Sequence, residues 1–273
     1  MKKAFSTLAC MGLPWQQVLS CAAEAGMDAV EIRLDSQNRV FGLPDEALPT
    51  LAAAFRENGV GIRDLGTSLS IRDYAPEKLA EIRRYAAMAK TLGAQGIRVF
   101  LGSFIQRFSD PRCQTEAGIV RFLQEAADTA RQQDVEIWIE THSEFSTGAS
   151  LRPLLDQVNR RNVRVIWDIL HSIEFGEAPE ETLRRIGKDI VHVHIKDGIP
   201  QGDPDRIEYC HTRLGEGSLP IAHILKLLKS AGYQGLYSLE WESQWREEIR
   251  HCYPTLPQLL NAWNDFLVTL RMS

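Results

Sequence analysis

Four short apolar segments in the second half of the chain each end in a side chain that can ligate a metal. Three of these side chains are carboxylates and one is an imidazole, namely Glu140 after Trp138-Ile139, Asp168 after Val165-Ile166-Trp167, His194 after Val191-His192-Val193 and Glu240 after Tyr237-Ser238-Leu239. An oxygen-rich set with one imidazole suits Mn2+, Mg2+ or Co2+ better than the thiolate-rich sets of structural zinc sites, although Zn2+ also accepts such ligands. The four residues therefore predict a site for one divalent cation.

Each candidate ligand lies where a β-strand is expected to end. The preceding residues are rich in β-branched and aromatic types, and turn residues or a break in the pattern follow each segment. In a (β/α)8 barrel, the carboxyl ends of all eight strands lie on one face, so residues far apart in sequence can meet around one ion. We therefore predict that the chain folds as an α/β protein with a (β/α)8 TIM barrel.

The rest of the chain carries the alternation of strands and helices that this fold requires. The pattern predicts strands at 3–6, 29–34, 60–65, 96–101, 135–140, 163–168, 190–195 and 235–239. It predicts helices at 15–25, 44–58, 76–92, 115–133, 151–159, 179–186, 219–230 and 256–270. A length of 273 residues is typical of one such barrel, so we expect a single domain over residues 1–273. Residues 197–217 show no clear period, and we interpret them as a long loop and a lid over the site.

Composition excludes several classes of protein. The net charge of -5 argues against a surface that binds nucleic acid, and no apolar run approaches the eighteen residues of a membrane span. The amino terminus has a faint likeness to a signal peptide, but Pro14, Gln16 and Gln17 interrupt it, and we interpret it as part of the fold. Five scattered cysteines without a CxxC pair indicate reduced thiols and a cytoplasmic protein, and they are Cys10, Cys21, Cys113, Cys210 and Cys252.

Further polar residues lie close to the candidate ligands in sequence. Alternate residues of a strand face the same side, so His142 shares a face with Glu140, and Lys196 shares one with His194. His171 follows Asp168 by three residues and can reach the same pocket from a loop. We predict that His142 and Lys196 take part in catalysis and that Lys196 and His171 contact substrate.

Several of these residues have a second interpretation. Lys196 either contacts substrate or forms a structural ion pair with Asp197 or a strand-end carboxylate. Arg98, in the fourth strand, is expected to grip a carboxylate or phosphate of the substrate, with a structural ion pair as the alternative. His192 is expected to pack in the barrel interior, and Glu242 to be a solvated or supporting side chain.

Several segments, in order along the chain, resemble the signature pieces of the xylose-isomerase-like TIM barrels, a group of sugar (phosphate) isomerases and epimerases. These segments are Val30-Glu31-Ile32-Arg33, Glu140-Thr141-His142, Trp167-Asp168-Ile169-Leu170-His171, His192-Val193-His194-Ile195-Lys196-Asp197, Leu214-Gly215-Glu216-Gly217 and Leu239-Glu240. The resemblance covers essentially the whole chain. It implies that Glu140, Asp168, His194 and Glu240 hold one catalytic divalent ion.

Two reactions fit these residues. A divalent ion that chelates a carbonyl and the neighbouring hydroxyl acidifies the carbon-bound proton and stabilises an enediolate. If Glu140 and Glu240 flank the substrate, one abstracts the proton and the other returns it, which gives a sugar or sugar phosphate isomerase or epimerase. The alternative is a dehydratase that resembles the 3-dehydroshikimate or inosose enzymes, in which His142, His171 and Lys196 supply the further acid or base that loss of a hydroxyl requires.

Two other classes fit less well. The abasic-site endonuclease IV group shares this barrel, but it uses histidines from early strands, and this chain has no histidine before His142. A non-catalytic binding protein would not need the complete ligand set. The expected partner is therefore a small polyol or sugar, not nucleic acid or a membrane. The sequence leaves open which sugar is bound, whether it is phosphorylated, and whether the chain forms a homo-oligomer.

Overall fold

The structure is a computed structural model that describes residues 1–105, 107, 109, 116–203 and 208–272, and a closed barrel lies at its centre. The described strands are β1 Lys2–Ser6, β2 Ala29–Arg33, β3 Gly61–Ile71, β4 Gly96–Leu101, β5 Glu136–Glu140, β6 Val163–Asp168, β7 Ile190–Ile195, β8 Gly198–Pro200, β9 Tyr209–His211 and β10 Leu236–Leu239. Strands β1 to β7 and β10 are parallel and pair in the order β1-β10-β7-β6-β5-β4-β3-β2. The predicted (β/α)8 TIM barrel is confirmed.

Helices connect the strands around the barrel. In the part of the chain that the structure describes, they are α1 Trp15–Glu24, α2 Leu48–Glu57, α3 Leu79–Leu92, α4 Glu116–Arg131, α5 Gly148–Val158, α6 Ile169–Glu174, α7 Pro179–Ile186, α8 Ile221–Ser230 and α9 Leu256–Met272. Helix α3 shows why the pattern predicts them well. Its buried residues, among them Ile82, Tyr85 and Ala89, recur at helical spacing, and the helix ends at Gly93, whose φ of 73° is the left-handed conformation that glycine adopts readily.

Both faces of the barrel strands are buried. One face packs against the helices, and the other faces the barrel interior, where polar residues can pair with one another. In β4, Ile97, Val99 and Leu101 are buried, and the intervening Arg98 bonds to carboxylates inside the barrel. Such parallel strands are covered by helices outside and by their own interior side chains within. Residues that face the interior can therefore be polar or charged, while the residues of the outer face pack against the helices.

Three local features differ from the sequence prediction. Strand β3 extends to Ile71, beyond the predicted end at 65, and it pairs with β4 across an irregularity between Gly66 and Ser70. Helix α6 begins directly after β6 because the Asp168 side chain accepts hydrogen bonds from the backbone N–H groups of Leu170 and His171. A run of six residues is too short to stand out as a periodic pattern.

The third difference is in the predicted lid, residues 197–217. This segment contains an antiparallel hairpin in which β8 pairs with β9. Asp197 supports its base by accepting hydrogen bonds from the backbone N–H groups of Gly198, Gly215 and Gly217 at 2.9–3.0 Å. Residues 204–207 lie outside the described residues, so the lid remains a prediction.

Candidate metal centre and active site

The four predicted ligands lie together at the carboxyl end of the barrel. Glu140 ends β5, Asp168 ends β6, His194 lies next to the end of β7, and Glu240 directly follows β10. All four residues are buried, and each offers one ligand atom that lies within 4.8 Å of the other three. The register of the sheet brings two of them side by side, since Asp168 is the direct partner of His194.

The donor atoms of this cluster fit a cation. Asp168 Oδ2, His194 Nδ1 and Glu240 Oε2 are buried and make no hydrogen bond of acceptable geometry, although charged groups lie near them. His194 Nδ1 is 3.2 Å from Glu240 Oε2 and 3.9 Å from Glu140 Oε2. Buried polar atoms that face one another in this way are costly unless something binds between them. Three carboxylates and one imidazole are suitable ligands for a divalent ion.

Two protein cations also contact the cluster. Arg98 Nη1 lies 2.9 Å from Glu140 Oε2 and 3.3 Å from Glu240 Oε1, and it is buried. Lys196 Nζ lies 2.7 Å from both Asp168 Oδ2 and Glu240 Oε2, and it also contacts Glu242. These contacts supply part of the charge compensation that three buried carboxylates require. The ion pair of Lys196 is with strand-end carboxylates and not with Asp197.

The environment pushes the pKa values of the two glutamates apart. Burial and the charge of Glu240 raise the pKa of Glu140 to about 7. Burial also favours the neutral form of Glu240, but His194 and Lys196 outweigh it and hold the pKa of Glu240 well below its usual range. Paired carboxylates with opposed shifts are typical of acid and base partners.

Neighbouring carboxylates hold His194 and Lys196 in their charged forms. Burial lowers the pKa of His194, but the charges of Glu240 and Glu31 raise it well above its ordinary value. For Lys196, burial is likewise outweighed by Asp168 and Glu240, and the pKa is well above its usual range. Because a metal binds only a deprotonated imidazole nitrogen, occupation of this centre by a cation would displace a proton from His194.

His142 and His171 lie together beside the cluster. Their ring centroids are 4.6 Å apart in an edge-to-face arrangement. His171 Nδ1 is 2.9 Å from Glu174, and His171 Nε2 is 3.6 Å from Asp168. Burial lowers the pKa of His171, but Asp168 and Glu174 raise it to about 9, whereas burial and the neighbouring His171 lower the pKa of His142 well below its usual range. One imidazole is therefore cationic and the other neutral near pH 7.

A cavity of about 560 Å³ opens over the cluster. Glu140, Glu240, Arg98, His142 and His171 all line it, so five of the predicted site residues face one space. Asp168, His194 and Lys196 are buried and contact residues of this lining. The cavity has the size and the mixture of apolar and polar walls that small-molecule sites show.

The sequence prediction missed several residues of this site. Arg33 lines the cavity, donates to Gly66 O at 2.8 Å and also bonds to Ser68. For Trp245 the sequence favours packing in the core or against a helix, with a cap over a sugar as the alternative, and the residue lines the cavity with 57% of its surface exposed. Glu31, on β2, contacts His194, on β7, inside the barrel. Arg33 and Glu31 share one face of β2 at period two, which is the signal that could have placed both of them.

Comparison with known proteins identifies the family. The model of the xylose isomerase-like TIM barrel family matches residues 19–255, and the chain belongs to this family. Solved structures with a similar fold include a D-psicose 3-epimerase and a probable 3-DHS dehydratase. Among the described residues, no helix combines the length and the apolar character needed to cross a membrane.

Three individual proteins illustrate the similarity. An uncharacterised protein of Methanocaldococcus jannaschii is 30% identical over 125 residues, which are 43% of this chain and 41% of that protein, so the match spans less than half the length of that relative. The crystal structure of the IolI protein with a bound zinc atom has a TM-score of 0.77 at 21% identity and covers 99% of this chain and 98% of that one. D-psicose 3-epimerase of Clostridium cellulolyticum, solved with D-tagatose, has a TM-score of 0.77 at 18% identity, with 99% of both chains covered. At these identities, the two structural similarities show the fold alone.

Proposed function

We propose that the chain is a divalent-metal-dependent isomerase or epimerase of a sugar or sugar phosphate. The observation that carries the proposal is that the carboxylates of Glu140 and Glu240 contact the same guanidinium nitrogen. Both carboxylates lie within 3.3 Å of Arg98 Nη1, and both face the same cavity. Two carboxylates that reach one substrate from different strands can remove a proton from a carbon and return it.

Glu140, Asp168, His194 and Glu240 would hold the metal, for which Mn2+, Mg2+ or Co2+ is proposed and Zn2+ is the alternative. When bound, the ion supplies Lewis-acid chemistry that polarises a carbonyl oxygen and its neighbouring hydroxyl. Asp168 Oδ2, His194 Nδ1 and Glu240 Oε2 make no hydrogen bond of acceptable geometry, which supports the assignment, and Lys196 Nζ compensates part of the charge of the two carboxylates. The IolI protein, which shares the fold, has been solved with zinc.

The remaining residues bind and orient the substrate. His171 and Lys196 are proposed to contact substrate hydroxyls, and Arg98 a polar group of the substrate while it positions the two glutamates. The described cysteines Cys10, Cys21, Cys210 and Cys252 are all free, which supports the proposed cytoplasmic location. The barrel is proposed to be the single domain of the chain, with a homo-oligomer as a further expectation.

The first experiment measures metal content and proton exchange. The wild-type protein should bind about one Mn2+ per chain, and deuterium from solvent should enter the substrate carbon when ketoses and ketose phosphates are supplied in D2O. Glu240→Gln should lower turnover by about 10²–10⁴-fold because it removes one proton carrier, and His194→Ala should lose the bound metal. Glu180→Gln is the matched control, since Glu180 is an exposed residue of α7. Full metal content and activity in both site variants after dialysis against a chelator would contradict the proposal.

A dehydratase of the 3-dehydroshikimate or inosose type is the second candidate. His142 on the cavity wall and Lys196 at 2.7 Å from Glu240 favour it, because expulsion of a hydroxyl needs proton carriers beyond the two glutamates. In an isomerase, His142→Gln should mainly raise KM. In a dehydratase, it should lower turnover by about 100-fold, and the wild-type product should show a new conjugated absorbance. His223→Gln, at an exposed histidine, is the control. Dehydration without any isomerised sugar would replace the first proposal by the second.

A further inference from the structure

We propose that Glu31 is a positioning residue that fixes the tautomer of His194 and so presents His194 Nδ1 to the metal. The inference rests on the metal site of the proposed function. Glu31 lies on β2, which is separated from β10 by β1 alone, and only 2% of its surface is exposed. Its Oε2 lies 2.7 Å from His194 Nε2, which is a strong hydrogen-bond distance.

This contact decides which nitrogen of His194 can bind a cation. A neutral imidazole carries one N–H, and the other nitrogen offers a lone pair. With the proton on Nε2 and donated to Glu31, the lone pair is on Nδ1. Nδ1 is the nitrogen that faces Glu240 at 3.2 Å and Glu140 at 3.9 Å. A carboxylate behind a metal-binding histidine fixes the ring and raises the basicity of the ligating nitrogen.

Glu31 is itself held in place by the strands around it. Ser238 donates its hydroxyl to Glu31 Oε1, and His192 Nε2 lies 3.1 Å from the same oxygen. Ser238 is the direct sheet partner of His194, so β7 and β10 together fix the carboxylate that orients the ligand. A buried carboxylate is costly unless it is paired and hydrogen-bonded, and these contacts provide that compensation.

The same geometry admits one competing explanation. Glu31, His192 and His194 each offer an atom within 4.8 Å of the others and could hold a second cation. His194 would then bind two ions through its two nitrogens. The Ser238 hydroxyl and the Nε2–H group of His194 already engage both oxygens of Glu31, and we therefore favour hydrogen bonding over a second metal.

Mn2+ titration of variants with unchanged circular dichroism tests the inference. Glu31→Gln keeps the shape of the side chain but weakens acceptance of the Nε2–H bond, and the Kd for Mn2+ should rise about 10–100-fold. Ser238→Ala should give a smaller rise in the same direction. Asp64→Asn is the matched control, because Asp64 is fully buried in the barrel and shares the electrostatic environment of Glu31 and His194, but its carboxylate makes no hydrogen bond to His194. Its Kd should stay at the wild-type value.

The outcomes separate this inference from the function on which it rests. A wild-type protein without affinity for Mn2+ would overturn the metal site itself. Wild-type binding with unchanged affinity in Glu31→Gln would overturn the role of Glu31 alone. Equal losses in Glu31→Gln and Asp64→Asn would show a general effect of the barrel interior, and two Mn2+ ions per wild-type chain would favour the competing explanation.

A measurement on the wild-type protein keeps the inference testable if Glu31→Gln fails to fold. In the Zn2+-bound protein, nitrogen-15 NMR of the histidine rings should show His194 still protonated at Nε2, with the resonance of Nδ1 shifted from its metal-free position. A merely structural contact would not determine which nitrogen responds to zinc. Zinc binding at Nε2 would overturn the proposal.

Discussion

The two halves of the barrel contribute different groups to the site. Strands β5, β6 and β7 and the residue after β10 carry the whole predicted ligand set, together with Lys196. Strands β2 and β4 carry Glu31 and Arg98, which reach across the barrel to contact those ligands. The second half of the chain therefore carries the predicted ligands, and the first half contributes one carboxylate and one cation that contact them.

This division has an energetic consequence. Carboxylates that converge in a buried place repel one another unless cations lie between them. Arg98 from the first half lies between Glu140 and Glu240, and Lys196 from the second half lies between Asp168 and Glu240. Each half thus provides one protein cation to a cluster whose carboxylates all come from the second half.

The largest expected effect on stability comes from removing the cation that the first half provides. Arg98→Met should lower the free energy of unfolding by about 3–5 kcal/mol, because it leaves two buried carboxylates without their shared partner. Urea unfolding monitored by circular dichroism measures this change. Addition of Mn2+ should restore part of the loss if a metal binds the same carboxylates.

An exposed ion pair serves as the control for Arg98. Arg131 pairs with Asp128 at 3.3 Å, and 70% of its side chain is exposed. Arg131→Met should change the free energy of unfolding by about 1 kcal/mol or less, since solvent screens such pairs. If Arg98→Met lowered the free energy of unfolding by no more than Arg131→Met does, Arg98 would not be needed to neutralise Glu140 and Glu240.

The positions of the candidate ligands could be predicted because strand ends obey a simple geometric rule. Each of the four residues ends or follows a buried run, and a parallel barrel brings all such ends to one face. The structure confirms the barrel, and Glu140, Asp168, His194 and Glu240 lie together in it. Their roles in metal binding and catalysis stay predictions.

The partners of these residues could not be predicted in the same way. Period-two spacing places Lys196 on the face of His194, but it does not say which carboxylate the flexible side chain reaches. The sequence left Asp197 or a strand-end carboxylate open, and Lys196 lies against Asp168 and Glu240. Asp197 instead binds the backbone N–H groups of three glycines. Such choices depend on distances across the barrel, which no local pattern contains.

The partner of Glu31 could not be predicted either. Its spacing from Arg33 places both residues on one face of β2, but His194, which Glu31 contacts, lies 163 residues away in the sequence. The short helix α6 and the hairpin β8–β9 were missed for a different reason. They depend on a side-chain cap and on tertiary contacts and are too short to show a period.

The smallest expected effect concerns Gly96 of β4 and Trp138 of β5, at the seam between the two halves. A methyl group on Gly96 would overlap the buried indole of Trp138, whose ring also lies under the guanidinium of Arg63 and stacks on His192. Gly96→Ala should therefore lower the free energy of unfolding by about 1–3 kcal/mol, because an overpacked core must shift to admit the added group. Gly187→Ala is the control, since its nearest new contact would be with Leu183 at an ordinary 3.6 Å. Urea unfolding and the near-ultraviolet circular dichroism of tryptophan measure both variants. An equal free energy of unfolding in the two variants would mean that the packing between β4 and β5 adjusts to the added methyl group without loss of stability. The contact between Gly96 and the Trp138 indole would then not be a tightly packed link between the two halves of the barrel.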